Sequence, residues 1–226
     1  MLLAAALATS GCGAANEDVA PDQDATLLLD APPSAVHAGI YTAVARGFDD
    51  ALGAVLTIAP PPPADDAAQQ LASGRAQFAI LPIEELALAQ ERGRDVVGVM
   101  AITQQPRTRV AGAPIYPPLV LSTGRITLQD DPGLVRAALS AIARGYTEVI
   151  GDPESGVSSL LDATKGLDRA TVSRDFTAGA PVYGALDPQR LQAWATWAKR
   201  RGIVRRAPDV SRLFDGRYVP RSGSRD

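Results

Sequence analysis

Apolar residues fall in short unbroken blocks in the first half of the chain and at helical spacing in the second. Leu27-Leu28-Leu29, beginning near Thr26, is a continuous apolar run, the pattern of a strand buried on both faces. Pro32 and Pro33 break it, and Ser34 predicts the cap of a helix reaching about Gly47, with Val36, Ile40, Ala43 and Val44 on one face. Val55 to Ala59 predicts a second strand, stopped by Pro60 to Pro63. A helix from Asp65 to Ser73 closes at Gly74. Phe78 to Leu81 and Val96 to Ile102 predict two further strands, separated by a helix from Glu84 to Arg92 that closes at Gly93. Strands alternating with short helices predict an α/β fold with a mainly parallel sheet.

Leu119 to Thr123 predicts one more strand, and the pattern after it is helical. Asp131-Pro132, Asp152-Pro153 and Asp187-Pro188 each place a capping carboxylate before a proline suited to the first helical position. Leu134, Ala138, Ala141, Ile142, Gly145 and Val149 share one helix face, as do Leu191, Trp194, Ala195 and Ala198. Both read as core faces. Pro208 to Pro220 reads as a closing segment, and 221–226 as a disordered tail.

At 226 residues, 46% hydrophobic and 21% charged, the chain has enough apolar surface for a core and is not globally disordered. A net charge of −3 argues against a nucleic-acid partner. No apolar run approaches the ~20 residues of a spanning helix. Cys12 is the only cysteine, so no internal disulfide forms. Its setting is an apolar run, Leu2 to Ala8, followed by Thr9-Ser10-Gly11-Cys12. This reads as an export signal ending in a lipobox, with Cys12 lipidated as the mature N-terminus; the same residues also fit an untidy apolar N-terminus with an incidental cysteine. Thr9 stands where Leu is usual, and the first basic residue is Arg46. A signal carries a positive n-region, so this one is expected to begin upstream of Met1. The expected organisation is signal 1–12, polar linker 13–25 and folded lobe 26–220, lipid-anchored on the extracytoplasmic side of the membrane.

His37 is the only histidine, and no G-x-S-x-G elbow, P-loop or metal-ligand cluster is present. No cofactor is implied. The informative stretch is Leu27 to Tyr41, LLLDAPPSAVHAGIY. Ligands of open α/β sheets bind at the carboxyl ends of strands, beside helix N-termini. That places Asp30, Ser34, His37 and Tyr41 around one crevice. The same spacing also fits Asp30 and His37 tying down a loop while Tyr41 fills core.

HAGIY after an LxLD strand and a proline-containing loop resembles the substrate-binding proteins of ABC importers in the nitrate/sulfonate/thiamine-pyrimidine group. GRAQFAILPIEELALAQERGRDVVGVMAITQQP, APIYPPLVLSTGRITLQDDPGLVRAALSAIARGY and ALDPQRLQAWATWAKRRGIV continue the resemblance in order, over roughly 26–220. It implies one lobe of a type II periplasmic-binding-protein fold: five strands in order 2-1-3-5-4, the fifth antiparallel, with flanking helices. It implies a small-molecule ligand, ABC permease partners and no catalysis. The ligand class is a thiamine pyrimidine precursor or a similar small heteroaromatic or anionic nutrient. Asp30, Ser34, His37 and Tyr41 would form one wall, joined by Pro82, Glu84 and Gln104, with Tyr116 placed to stack on a ring. Glu84 also fits as an acid favoured by a helix N-terminus, and Gln104 and Tyr116 as simple loop residues. The related pyrimidine synthases use a cofactor-bound lysine and a cysteine-rich motif; Lys165 and Lys199 lie far from the strand ends, and no cysteine cluster exists.

The chain departs from that group in two ways. Ala31 and Ser34 stand where an aromatic and an Asn are common. After Gln105-Pro106 the chain passes almost directly to Ala113–Leu121, where on the order of 80–90 residues of a second lobe are expected. Residues 105–118 span at most about 45 Å, ample for neighbouring strand ends. A remnant with weak binding, or one that binds another protein, is the alternative reading.

Overall fold

The computed structural model describes residues 23–63, 66–108, 110–178 and 183–220. The lipobox with Cys12 and the tail 221–226 lie outside these described residues. The fold opens with β1 (Gln23–Leu28), a 3-10 turn (Ala35–His37), α1 (Ala38–Ala45) and β2 (Ala54–Ala59). α2 (Asp66–Ala72), β3 (Phe78–Pro82), α3 (Ile83–Glu91), β4 (Val96–Ala101) and β5 (Leu119–Gly124) follow. The remainder is helical: α4 (Arg125–Asp130), α5 (Pro132–Gly151), α6 (Pro153–Ala163), α7 (Arg169–Ala178), α8 (Pro188–Arg200) and α9 (Val210–Leu213). β1 begins at Gln23 rather than near Thr26, because Gln23 already pairs with Ala54 and its side chain donates to Asp131 Oδ2 at 2.5 Å.

The sheet order is β2-β1-β3-β5-β4. β1 runs parallel to β2 and β3, and β5 runs antiparallel to β3 and β4. Side chains alternate between its faces. Leu27, Leu29, Phe78 and Ile80 enter one core with α1, α5, α6 and α7. Leu28, Ala79 and Leu81 enter a second with α2, α3, α8 and α9. The triple-leucine run is therefore divided between two cores. The exposed side of β4 is covered: Ala101 pairs with Gly184, and Gly98 bridges Phe214. Those contacts leave little open edge for another chain to pair with.

Among the described residues there is one sheet, so the fold is a partial one beside the two lobes the resemblance implies. The Ile102 N–H donates to Leu119 O at 2.9 Å. The end of β4 and the start of β5 are thus neighbours, and the connection between them needs no long reach.

Glycines set the contact between α1 and α5. A Cβ on Gly145 would lie 2.0 Å from Gly39 O, and one on Gly39 would lie 2.3 Å from the Tyr146 ring. The glycine of HAGIY lets α1 settle on α5, which fixes the height of the loop just before α1.

Candidate functional site

The carboxyl edge of the sheet gathers the loop after β1, the start of α3, the end of β4 and the chain entering β5. Asp30 follows β1, and Ser34 precedes the turn that leads into α1. The Ser34 backbone N–H donates to His37 Nδ1 at 3.1 Å, as it would to the glutamate of a capping box. Ser34 Oγ lies 3.3 Å from the same nitrogen. A backbone N–H only donates, so Nδ1 accepts and the ring proton sits on Nε2. That nitrogen donates to Asp30 Oδ1 at 2.9 Å. The His37 side chain is 0% exposed and the Asp30 side chain 12%. The imidazole is thus a strut spent on both sides, and of the pair only the Asp30 carboxylate keeps an accessible edge.

Tyr146 of α5 braces the loop from beneath, its hydroxyl donating to Val36 O at 2.7 Å. Burial, and then the charge of Asp30, push its phenol well above the ordinary tyrosine range. Tyr183 stacks on Tyr146 with centroids 5.2 Å apart, and its hydroxyl lies 2.6 Å from Thr147 Oγ1. Tyr41 packs in the first core at 8% exposure, and burial raises its pKa.

Across the edge, Tyr116 donates to Glu84 Oε1 at 3.3 Å. Its ring lies 6.2 Å from Trp194 and 6.0 Å from Trp197, within the second core. Only its hydroxyl end reaches the site. Pro82 ends β3 and precedes α3. The next N–H, of Ile83, donates to Pro118 O at 3.0 Å and joins the two strand ends. Gln104 donates to Ala185 O at 3.0 Å, which ties the β4–β5 connection to the segment leading into α8. The structure therefore assembles two groups, Asp30–Ser34–His37 and Glu84–Tyr116, and spends Gln104 on backbone. Both groups present carboxylates.

Several solved structures share this architecture at low sequence identity. A ligand-binding component of an ABC-type import system from Staphylococcus aureus, with zinc bound, is 12% identical, with 87% of this chain and 98% of that one covered at a TM-score of 0.67. A Candida albicans gene product with the generic periplasmic binding protein fold is 9% identical, with 92% and 100% covered at 0.66. The periplasmic aliphatic sulphonate binding protein of Escherichia coli is 9% identical, with 92% and 98% covered at 0.63. The fold is that of a periplasmic binding protein. The family model described as NMT1/THI5 like matches residues 34–114, less than half of the chain. No curated protein is matched by sequence. Within the periplasmic-binding-protein fold, the matched span carries Ser34, His37, Tyr41, Pro82, Glu84 and Gln104, leaving Asp30 and Tyr116 just outside it. The Staphylococcus aureus and Escherichia coli proteins are binding components by name.

Sequence reasoning missed Tyr146 and Tyr183. Tyr146 is in α5, on the same face as Leu139 and Ile142, so helical spacing finds it as core but not as the brace of a loop 110 residues away. Among the described residues no group of three or more His, Cys, Asp or Glu could hold a metal, and no helix is long and apolar enough to cross a membrane.

The Tyr116–Glu84 pair has a pH signature. Burial first, then the Glu84 charge and hydrogen bond, push the Tyr116 phenol from 10.0 up to about 12. A phenol raised on folding adds stability that is complete below its unfolded pKa and is lost as pH rises through the folded value. Tyrosinate absorbance should show Tyr116 ionising near pH 12 in the native protein. Glu84→Gln should bring that titration only part of the way back to 10, because burial is the larger cause. A return to the full solution value would show that Tyr116 is not packed against the tryptophans.

Proposed function

We propose that this chain is the solute-binding component of an ABC importer, anchored outside the cell membrane through a lipidated Cys12 and working with permease subunits. The observation that supports the reading most is the placement of the HAGIY loop. It lies within the NMT1/THI5-like match, on a periplasmic-binding-protein fold, at the strand edge where such sheets take ligands. The favoured ligand is a thiamine pyrimidine precursor or a similar small heteroaromatic nutrient. The carboxylates of Asp30 and Glu84 can accept from its amino group and would repel a sulfonate.

Asp30 and Ser34 form one wall, with His37 holding them from within. Glu84 and the Tyr116 hydroxyl form the facing wall, and Pro82 is the floor between. Tyr41 and Gln104 act through packing and loop position. No proton or group is transferred, because recognition and release complete the task.

The direct β4–β5 connection favours a second feature, weak binding. Binding sites enclose most of a small ligand's surface, whereas one lobe leaves one side of it in water. Isothermal calorimetry of the full chain against a pyrimidine precursor, riboflavin, an alkanesulfonate and nitrate tests the reading. Heat with the pyrimidine precursor is expected. Silence with all four would remove solute binding and leave the chain as a remnant that meets another protein.

A further inference from the structure

α3 and α8 both run away from the ligand edge. α3 begins where β3 ends and finishes just before β4 begins. α8 follows Gly184, which pairs with Ala101 at the end of β4, and beyond its far end the Arg206 N–H donates to Glu91 Oε1 at 2.9 Å. The C-termini of the two helices therefore meet at the opposite edge of the sheet. Lys199, Arg200, Arg201, Arg205 and Arg206 are all exposed there, as is Arg92 beside Glu91. Lysine or arginine in a last turn complements the helix dipole, but two helix ends need only one or two each. Arg205 stands within 3.6 Å of Glu91 and is still 86% exposed. The patch is strongly cationic on a chain whose net charge is −3.

We propose that this patch is a docking surface for an anionic lipid bilayer. Its cations are spread over two helix ends and the turn after α8, which matches a plane of headgroups rather than one bound anion. On this edge Asp24, Asp50 and Asp130 lie around the start of β1, whereas the acids of the α3–α8 corner, Glu91 and Asp95, pair with Arg205 and Arg125; the corner keeps a cationic excess and is the side that faces the lipid. Residues 1–22 join the fold at Gln23, on this same edge, and Cys12 to Gln23 spans at most about 36 Å. On the lipid-anchored reading proposed above, a tether of that reach keeps the patch close to the headgroups. The ligand edge then points away from the lipid and stays open. Polybasic surfaces of this size gain affinity with each cation and lose it to salt.

The test is co-sedimentation of the full, unlipidated chain with vesicles of phosphatidylcholine alone or with roughly 30% phosphatidylglycerol, the anionic content that drives such binding. Binding is expected only to the anionic vesicles, and it should vanish in about 0.5 M salt. Lys199→Glu with Arg200→Glu and Arg201→Glu should weaken it by more than about a hundredfold, since three cations at near fivefold each are lost and three anions are added. The charge-keeping set Lys199→Arg, Arg200→Lys and Arg201→Lys should restore it, and Arg174→Glu on α7 should leave it unchanged. Calorimetric ligand affinity of the triple reversal should match the parent, which separates this result from failure of the transport reading. Equal binding to neutral vesicles, no binding by the parent, or an unaffected triple reversal would overturn the proposal. Binding to an acidic peptide with none to vesicles would overturn it as well.

Discussion

Gly145→Ala should cost roughly 3 kcal/mol or more, the upper part of the range for overpacking a close contact. The added carbon would lie 2.0 Å from Gly39 O, 2.8 Å from Ala43 N and 3.0 Å from Ala43 Cβ. Two of those three atoms are backbone, so no rotamer relieves the clash. α1 and α5 must separate, and the loop that α1 carries moves with them. A matched control sits on the same helix: a Cβ on Gly151 meets nothing within 4 Å, so Gly151→Ala should be neutral or slightly stabilising. Urea unfolding of the two variants reads the difference directly. Equal midpoints would mean that α1 and α5 do not approach as described.

His37→Ala should lower both stability and ligand affinity. It removes the acceptor of the Ser34 N–H and the donor to Asp30 and opens a cavity in a fully buried position. Unsatisfied groups and lost packing together give about 2–4 kcal/mol. Asp30→Asn separates the two roles. Its amide oxygen still accepts from Nε2, so the loop should hold with a loss under about 1 kcal/mol. The charge facing the ligand is gone, and affinity should fall about tenfold or more, since hydrogen bonds to charged groups are the stronger ones. Unchanged affinity in Asp30→Asn would remove Asp30 from the site. Unchanged stability in His37→Ala would contradict the strut.

Those two variants mark where sequence reasoning stopped. The spacing of Asp30, Ser34 and His37 was enough to place them together at a strand end. It could not say that the imidazole turns inward with both nitrogens occupied, because burial depends on α5, a hundred residues further on. The helix starts were plain where chemistry is local. Asp131, Asp152 and Asp187 each accept a backbone N–H two or three residues on, as their Asp-Pro pairs foretold. α7 and α9 were not separated from their surroundings. Asp168 and Asp209 accept from Thr171 and Ser211, but no proline follows either, and α9 has only four residues. Strand order came from the family resemblance alone, since alternation reports which face a residue occupies and not which strand is its neighbour. Tyr116 shows the same boundary: its position before β5 was legible, while its packing against two tryptophans of α8 required the packed second core.

The central claim is an open, one-lobed binding edge, and the affinity of the monomer tests it most directly. Calorimetric titration of the full chain with the panel ligand that gives heat should yield a dissociation constant above about 1 μM, the consequence of leaving one side of the ligand in water. A sub-micromolar constant for the monomer would mean that the ligand is enclosed, and would contradict the account.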